Sequence, residues 1–319
     1  MVETIKKEKR TKILVTGSSG MLGADVCGEL SGEYDVVGLD INEPASGVSQ
    51  PTVLCDITDR QKTIESIDDV KPDLIVHAAA CTDVDGCEMD PRRAERINKD
   101  GTENIAAAAS KLDIPLLYIS TDFVFDGKKR QAYKEEDPAN PINVYGRTKL
   151  EGEKAVSPLK RHMILRTSWM YGGNGKNFVD TITTMAKAKN ELKVVNDQVG
   201  SPTYTKDLAK AIGRLLKIIY GPGDGGRGPV WGIYCISNKG PVSWFDYAKE
   251  ILSILDIDNV KVIPIKSEQL DRPARRPAYS VLDNAKFERM TKYEMRPWRE
   301  ALKEYLLRGG PRETRSIRP

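Results

Sequence analysis

Short apolar runs alternate with longer amphipathic segments along roughly the first half of the chain. Apolar runs of four to six residues are typical of strands buried in a parallel sheet, and segments with helical periodicity are typical of the helices that cover it. The predicted strands are Lys12–Thr16, Asp35–Leu39, Val53–Cys55, Asp73–His77, Pro115–Ser120 and Met163–Thr167. The predicted helices are Met21–Leu30, Gln61–Ile67, Pro91–Leu112 and Asn143–Val156. This alternation predicts an α/β fold with a doubly wound parallel sheet of the Rossmann type.

The rhythm loosens after Tyr171, where we expect a smaller C-terminal substrate lobe. The elements predicted there are helices at Phe178–Ala188, Lys206–Ile219, Trp244–Leu255 and Trp298–Leu307, strands at Leu192–Val195 and Gly232–Ile236, and a surface loop at Gly221–Gly228. We predict a charged N-terminal extension (1–11), a dinucleotide-binding domain (12–171), a mainly substrate-binding lobe with segments that return to the first domain (172–308), and a basic C-terminal tail (309–319).

The composition supports a globular protein with a sizeable core. Of the 319 residues, 39% are hydrophobic and 30% charged, and the net charge of +3 gives no indication of a nucleic-acid partner. The charged start does not resemble a signal peptide or an anchor, and no apolar segment is long enough to cross a membrane, so we expect a cytoplasmic protein. The oligomeric state is left open, with a homodimer among the alternatives.

Five cysteines without CxxC spacing are typical of reduced thiols. We interpret Cys81 and Cys87 as two ordinary thiols rather than as redox partners. With only two histidines the chain has no candidate histidine cluster for a metal, and we predict no metal site. Scattered carboxylates do not allow a Mg²⁺ dependence to be deduced.

The first predicted strand runs directly into a glycine-rich turn. Gly17, Gly20 and Gly23 have the spacing GxxGxxG between a strand and a helix. Glycines allow the backbone to approach a pyrophosphate, and the N-terminus of the following helix offers it N–H groups and a positive dipole end. The alternative is a glycine-rich turn without a ligand.

Carboxylates follow the next two strands. Asp40 lies where an acidic side chain accepts hydrogen bonds from the adenosine ribose, and it favours NADH because it would repel a 2′-phosphate. Its alternative role is that of a helix or turn cap. Asp56 could face the adenine edge or could equally cap the next helix. The segment His77, Ala78, Ala79, Ala80 ends the fourth strand mostly with small side chains, which would let its backbone approach a cofactor.

Tyr145 and Lys149 are four residues apart in a predicted helix, so they share one face. A lysine ammonium can stabilise the phenolate of a nearby tyrosine and so make it an acid–base group near neutral pH. The pair follows a strand that ends in Ser120, Thr121 and Asp122, at the sheet edge where ligands bind. Thr121 could hydrogen-bond a substrate carbonyl. The alternative is a solvated helix face with Tyr145 packed on the sheet.

Seven segments together resemble the extended short-chain dehydrogenase/reductases. They are TGSSGMLG, HAAACTDVD, STDFVFDG, NVYGRTKLEGE, RTSWMYG, NDQVGSPT and RRPAYSVLD. Within that family they are most similar to the reductases that complete dTDP-L-rhamnose synthesis, and the similarity runs from about Lys12 to Leu307. It implies an enzyme that uses NADH or NADPH to reduce the C4 ketone of a dTDP-sugar, dTDP-4-keto-6-deoxy-L-mannose.

The resemblance also implies a role for individual residues. Thr121, Tyr145 and Lys149 would be catalytic, with assistance from Asp122. The cofactor would be held by Gly17, Ser19, Gly20, Met21, Leu22, Gly23, Asp40, Asp56, Ile57, His77, Ala78, Ala79, Ala80, Tyr145 and Lys149. The substrate would be held by Thr82, Val84, Thr121, Trp169, Asn177 and Arg276. Arg276 is the candidate partner of the diphosphate, with Arg275 or Arg272 as alternatives, and Trp169 could instead be a core aromatic.

Three other functions share much of this pattern. Dehydratases of this superfamily carry a glutamate where this chain has Phe123, and epimerases differ around the catalytic threonine. Cys81 stands where relatives often carry an aromatic residue, a difference that would alter the sugar pocket rather than hydride transfer. The third alternative is a non-catalytic regulatory subunit similar to the β subunit of methionine adenosyltransferase, in which the dinucleotide would be a structural ligand.

Overall fold

A seven-stranded parallel sheet forms the centre of the structure, a computed structural model that describes residues 10–44, 50–221 and 230–309. The strands are β1 Lys12–Thr16, β2 Asp35–Asp40, β3 Thr52–Leu54, β4 Leu74–His77, β5 Leu116–Thr121, β6 His162–Thr167, β7 Met170–Tyr171, β8 Glu191–Val195, β9 Val199–Gly200, β10 Thr203–Tyr204, β11 Gly232–Cys235, β12 Val242–Ser243 and β13 Lys261–Ile265. The order across the central sheet is β11-β6-β5-β4-β1-β2-β3.

Eleven α-helices accompany these strands in the described part of the chain. They are α1 Met21–Leu30, α2 Arg60–Val70, α3 Val84–Met89, α4 Pro91–Glu95, α5 Gly101–Leu112, α6 Val144–Val156, α7 Phe178–Ala188, α8 Thr205–Tyr220, α9 Trp244–Ile254, α10 Ala285–Thr291 and α11 Trp298–Gly309. A π-helical turn at Arg96–Asp100 joins α4 to α5, and 3-10 turns lie at Asp122–Val124 and Ser267–Gln269. None of the described helices is long and apolar enough to cross a membrane.

Helices cover both faces of the central sheet. Successive residues of a strand point to opposite faces, so the neighbours of a single strand show both layers. In β1, Ile13 and Val15 belong to an apolar cluster with residues of α1 and α8, whereas Leu14 belongs to a second cluster with residues of α2 and α5. All three side chains are fully buried. The predicted doubly wound α/β fold is confirmed.

The strand order reverses at β1. From there the chain builds β2 and β3 on one side and then crosses to β4 and β5 on the other. In parallel sheets such a reversal opens a crevice at the carboxyl ends of the strands, where ligands bind. The crevice therefore lies above Thr16 and His77, the last residues of β1 and β4.

The C-terminal part has its own apolar cluster. Residues of α7, α9, α11 and β8 contribute to it, and Tyr247, Trp298 and Tyr305 are among its buried members. Two later segments return to the sheet: β11 pairs with β6, and α8 packs against α1. We therefore propose the division predicted from the sequence, with a boundary near Tyr171 and with β11 and α8 as the returning segments. Most of the predicted extension, loop and tail lies outside the described residues.

Several later elements differ from the predictions. Pro91–Leu112, predicted as one helix, is interrupted by the π-helical turn, in which the N–H of Gly101 donates to the carbonyl of Arg96. The apolar spacing runs through this interruption, so periodicity does not reveal it. The helices α3 and α10 and the strand β13 are also missing from the predictions. Pro264 lies inside β13, and proline argues against a strand although an edge strand tolerates it.

Candidate active site

A cavity of about 860 Å³ lies at the carboxyl ends of the central strands. Its lining comes mainly from the glycine turn, the ends of β2 to β6, the start of α6, and the tryptophans Trp169 and Trp244. Of the residues predicted to bind cofactor or substrate or to act in catalysis, the lining contains Gly17, Ser19, Gly20, Met21, Leu22, Gly23, Asp40, Asp56, Ile57, Ala78, Ala79, Ala80, Thr82, Val84, Thr121, Asp122, Tyr145, Lys149 and Trp169. His77, Asn177 and Arg276 are not part of it.

The glycine turn brings β1 and α1 into close contact. Gly17 has a φ of +67°, a conformation that favours glycine, and a Cβ on it would lie 2.7 Å from the backbone nitrogen of Ala79. A Cβ on Gly23 would lie 2.0 Å from the carbonyl oxygen of Gly17. Gly20 is the N-cap of α1, so the first N–H groups of this helix have no side-chain cap. This geometry fits a pyrophosphate at the helix N-terminus.

Asp40 ends β2 and is only 8% exposed. Its Oδ2 accepts from the N–H of Ser19 at 2.9 Å, and its Oδ1 accepts from the N–H and the side-chain amide of Asn42 at 2.9 Å and 3.3 Å. The carboxylate thus caps a turn, as the alternative proposed. It also lines the cavity, so it retains acceptor capacity there, because a carboxylate accepts about four hydrogen bonds.

Asp56 and Ile57 line the other side of this end of the cavity. Oδ1 of Asp56 accepts from the N–H of Thr58 at 2.9 Å. The alternative role as the cap of the next helix is wrong, because Asp59 is the N-cap of α2 and accepts from the N–H of Lys62. A position facing the adenine therefore stays the prediction for Asp56.

His77 lies beneath the cavity rather than in its wall. Its ring is fully buried, with Nδ1 2.6 Å from the hydroxyl of Thr16 and Nε2 3.1 Å from the hydroxyl of Thr102. Burial lowers its pKa to about 3, so the ring is neutral. Since the Thr16 hydroxyl accepts from the N–H of Ala79, His77 acts on the cavity only by positioning this strand end. Because side chains alternate along β4, the ring of His77 points to the face of the sheet that α5 covers, where it meets Thr102. The prediction did not take this alternation into account.

Tyr145 and Lys149 occupy the first turns of α6, the helix that closes the far end of the cavity. Asn143 caps this helix by accepting from the N–H of Gly146 at 2.8 Å. A Cβ on Gly146 would lie 2.1 Å from the carbonyl oxygen of Phe123, so glycine lets α6 approach the end of β5 closely. Tyr145 is 8% exposed and lines the cavity, so its side chain is not on a solvated helix face and still reaches the cavity.

The phenol of Tyr145 is held in its protonated form. Burial raises its pKa well above the ordinary value, and a hydrogen bond with the Thr121 side chain opposes this effect. The hydroxyl of Thr121 also donates to Oδ1 of Asp122 at 3.1 Å. Burial raises the pKa of Asp122 to about 7, so this carboxyl group titrates near neutral pH. The three groups can hold and pass a proton at the end of β5.

Lys149 is 3% exposed, and burial lowers its pKa to about 7. Its Nζ lies 4.1 Å from the ring centroid of Tyr118, and the carboxylate of Glu153 raises the lysine pKa. Glu153 in turn forms a buried ion pair with Arg166, with an Oε2–Nη2 distance of 2.7 Å. Burial thus disfavours the charged form of Lys149, whereas the carboxylate of Glu153, itself paired with Arg166, favours it.

Two stacked tryptophans form a wall of the cavity, whose lining also includes Thr82 and Val84. The rings of Trp169 and Trp244 are parallel within 4°, with centroids 3.4 Å apart. Trp169 has a φ of +44°, and a Cβ on Gly200 would lie 2.4 Å from its ring. Trp169 is therefore not simply a core aromatic, since one wall of the cavity is made of its ring and its neighbour.

Comparison with known proteins settles which family carries this arrangement. A family model described as the RmlD substrate binding domain matches residues 11–309. The chain belongs to this family, among the extended short-chain dehydrogenase/reductases.

Three relatives illustrate the similarity of this RmlD-family chain. The spore coat polysaccharide biosynthesis protein SpsK of Bacillus subtilis is 38% identical over 93% of this chain and 97% of its own length. The dTDP-4-dehydrorhamnose reductase of Mycolicibacterium smegmatis is 37% identical, covering 92% of this chain and 84% of its own. A crystal structure of dTDP-4-dehydrorhamnose reductase from Bacillus anthracis in complex with NADP is 35% identical, with a TM-score of 0.83 over 94% of this chain and 99% of that one.

Two residues that were predicted to touch the sugar nucleotide, Asn177 and Arg276, are not part of the cavity lining. The side chain of Asn177 is the N-cap of α7, where it accepts from the N–H of Asp180 and donates to the carbonyl of Gly172. Arg276 forms a two-pronged ion pair with Asp85, at 2.8 Å and 2.7 Å. Both polar groups thus have partners within the protein.

Other residues of the cavity lining were missing from the predictions. The cations Arg93, Arg96 and Lys176 line it, as does Trp244. Arg93 lies in α4 and Arg96 begins the π-helical turn, and no sequence motif marks them. Trp244 starts a helix far along the chain from the nucleotide-binding segments, so only tertiary structure brings it to the cavity.

Proposed function

We propose that this protein is a reductase that uses NADH or NADPH to reduce the C4 ketone of dTDP-4-keto-6-deoxy-L-mannose to dTDP-L-rhamnose. The observation that carries the proposal is that Thr121, Tyr145 and Lys149 line one cavity with the glycine turn of β1 and α1. Relatives named dTDP-4-dehydrorhamnose reductase that match over most of the chain support the same activity.

The residues of the cavity fit a nicotinamide dinucleotide. The glycine turn leaves room where side chains would collide, and Asp40 keeps an acceptor position toward the cavity. A bound reduced nicotinamide would supply the hydride. We infer that Asp40 makes NADH the preferred cofactor, since residues 41–59 contain no lysine or arginine to balance a 2′-phosphate.

The proposed roles of the chain's own residues follow from their surroundings. Tyr145 holds a proton on its hydroxyl, which its raised pKa keeps in place at neutral pH. It donates this proton to the C4 oxygen of the sugar when the charge of Lys149 lowers the pKa of the phenol. Thr121 orients the carbonyl through its hydroxyl. Lys149 binds the nicotinamide ribose and, when charged, stabilises the phenolate that remains. Asp122 assists in its protonated form, in which it donates to the Thr121 oxygen 3.1 Å away and leaves the Thr121 proton for the carbonyl.

The sugar nucleotide would bind against the tryptophan wall. Thr82 and Val84 would contact the sugar, and Trp169 would present its ring to it. The guanidinium of Arg276 is paired with Asp85 and lies outside the cavity lining, so it is not our first candidate for the diphosphate. We propose cations of the lining, of which Arg93 and Lys176 are candidates, for this charge.

The relatives support the reductase over the regulatory-subunit alternative, and Phe123 argues against a dehydratase. An epimerase would return its cofactor unchanged, whereas a reductase consumes it. We place the reaction in the cytoplasm. A homodimer stays a prediction, which light scattering of the purified protein would check.

A turnover assay tests the proposal. The purified chain is mixed with NADH or NADPH and a panel of 4-keto nucleotide sugars, with and without Mg²⁺, and the absorbance of the reduced cofactor is followed. Stoichiometric consumption with dTDP-4-keto-6-deoxy-L-mannose is expected. Cofactor binding without consumption on any sugar would overturn the reductase function and favour the regulatory subunit.

A further inference from the structure

Two cysteine sulfurs meet at the wall of the cavity. The Sγ atoms of Cys81 and Cys87 are 3.6 Å apart, and Sγ of Cys87 is also 3.6 Å from the carbonyl oxygen of Cys81. Cys81 is half-buried and lines the cavity, whereas Cys87 is fully buried behind it. The sequence favoured two ordinary thiols, and this distance is the observation that changes the interpretation.

The surroundings make Cys81 the reactive member of the pair. A hydrogen bond from the Cys87 thiol lowers the pKa of Cys81, burial opposes this, and the charge of Arg93 adds to the lowering. The thiolate is the nucleophilic form of cysteine. Cys87 carries the proton, and its pKa is raised well above the ordinary value by the same contact.

The segment that holds the two cysteines also supports the catalytic helix. The backbone N–H of Cys81 donates to the side chain of Asn98 at 2.8 Å, and its carbonyl accepts from the same side chain at 3.1 Å. Cys87 packs in an apolar cluster with Val144 and Tyr145. The next residue, Glu88, accepts from the N–H of Val144 at 3.0 Å. A change in the cysteine pair therefore reaches Tyr145 directly.

We propose that Cys81 and Cys87 form a modification site for small disulfides, which convert the pair into an intrachain disulfide that stops turnover. The Cys81 thiolate attacks one sulfur of the disulfide, forms a mixed disulfide and releases one thiolate. The Cys87 sulfur then attacks the Cys81 sulfur, loses its proton and expels the second thiolate. The two cysteines are oxidised, and one small disulfide is reduced to two thiols.

The closed disulfide would distort the site. A disulfide requires an S–S distance of about 2.05 Å, so the sulfurs must approach by about 1.5 Å. This movement pulls α3 toward the cavity wall and changes the packing on Tyr145. A displacement of about 1 Å at a reacting group can cost on the order of 100-fold in rate, and we expect turnover to fall at least about tenfold.

Peptide mass analysis tests the modification independently of activity. The reduced full chain is incubated with bis(hydroxyethyl) disulfide, denatured, alkylated and digested with trypsin, which leaves both cysteines in one peptide of residues 63–92 because Pro72 follows Lys71. We expect this peptide to lose two hydrogen atoms and to resist alkylation. The variant Cys87→Ala should instead retain a hydroxyethylthio adduct on Cys81, and the matched control Cys235→Ala should behave like the unaltered chain.

The loss of turnover is measured in parallel and rests on the proposed function, whereas the peptide result does not. Dithiothreitol should restore turnover in the unaltered chain, and cofactor binding checks that each variant is folded. The site is overturned if an adduct persists on Cys81 without closing, if neither cysteine reacts, or if Cys27, Cys55 or Cys235 oxidises as fast. A complete disulfide without loss of turnover overturns the switch alone.

Discussion

Exchange of Asp40 for asparagine should relax the cofactor preference. Asp40→Asn keeps the size of the side chain and one carbonyl oxygen but removes the negative charge. Because the N–H groups of Ser19 and Asn42 hold the carboxylate in place, the charge lies at a fixed position at the end of β2. The substitution also weakens the hydrogen bond that holds Ser19 in the glycine turn, and this loss affects both cofactors equally. The ratio of kcat/KM for the two cofactors therefore isolates the effect at the ribose.

The magnitude follows from the charges involved. Two unit charges about 4 Å apart interact by about 4 kcal/mol at an effective dielectric constant of about 20, and solvent and salt at the cavity mouth reduce this to about 2 kcal/mol. Loss of the charge from a hydrogen bond to the 2′-hydroxyl of NADH contributes about another 1 kcal/mol. The ratio of kcat/KM for NADPH to that for NADH should therefore rise on the order of 100-fold.

The assay compares kcat/KM for the two cofactors at saturating sugar nucleotide. Asp56→Asn is the matched control, because Asp56 lines the same end of the cavity and loses the same charge away from the ribose 2′ position proposed for Asp40. Its ratio should stay within about threefold of the unaltered chain. An Asp40→Asn ratio that does not move, or one that the control reproduces, refutes the role of Asp40 at the ribose.

Three further predictions concern the surroundings of the site. Burial lowers the pKa of Lys149 from 10.5 to about 7, so between these pH values the unfolded chain binds a proton that the folded chain does not, and stability should rise with pH. Lys149→Met should flatten this rise by up to about 1.4 kcal/mol per pH unit, and an unchanged slope in denaturation curves contradicts it. Arg166→Met leaves Glu153 buried without its ion partner and should cost about 3–5 kcal/mol of unfolding free energy, most of which Arg166→Met with Glu153→Met restores; equal losses in both contradict the pairing. Trp244→Ala removes the stacking partner of Trp169 and should raise KM for the sugar nucleotide about fivefold at unchanged KM for NADH, whereas an unchanged sugar KM argues against the tryptophan wall.

Local sequence signals predicted the sheet and the glycine turn that lines the cavity. The strands of the central sheet are apolar because both of their faces are buried, and this burial is visible as an uninterrupted run such as Ile13 to Val15. The glycines of the turn follow each other within seven residues and act through local backbone geometry. Asp40 comes directly after its strand, so its place at the carboxyl edge follows from chain order.

The residues that the structure places differently from the expectation have partners that sequence proximity does not reveal. Arg276 was expected at a diphosphate, but Asp85, 191 residues earlier, neutralises it. No local pattern marks such a pairing. Asn177 is different, because an asparagine directly before an amphipathic helix is a common N-cap and this signal was available. The pairing of the Cys81 and Cys87 sulfurs depends on the loop that leads into α3, a helix that the apolar pattern did not predict.

The most direct test of the account is the comparison of Tyr145→Phe with the unaltered chain in turnover of dTDP-4-keto-6-deoxy-L-mannose, with cofactor binding measured on the same samples. The substitution removes only the phenolic hydroxyl, and Tyr34→Phe is the control for a tyrosine away from the cavity. We predict that turnover falls by about 100-fold or more while NADH binding stays within about twofold. Unchanged turnover in Tyr145→Phe would contradict the assignment of Tyr145 as the proton donor.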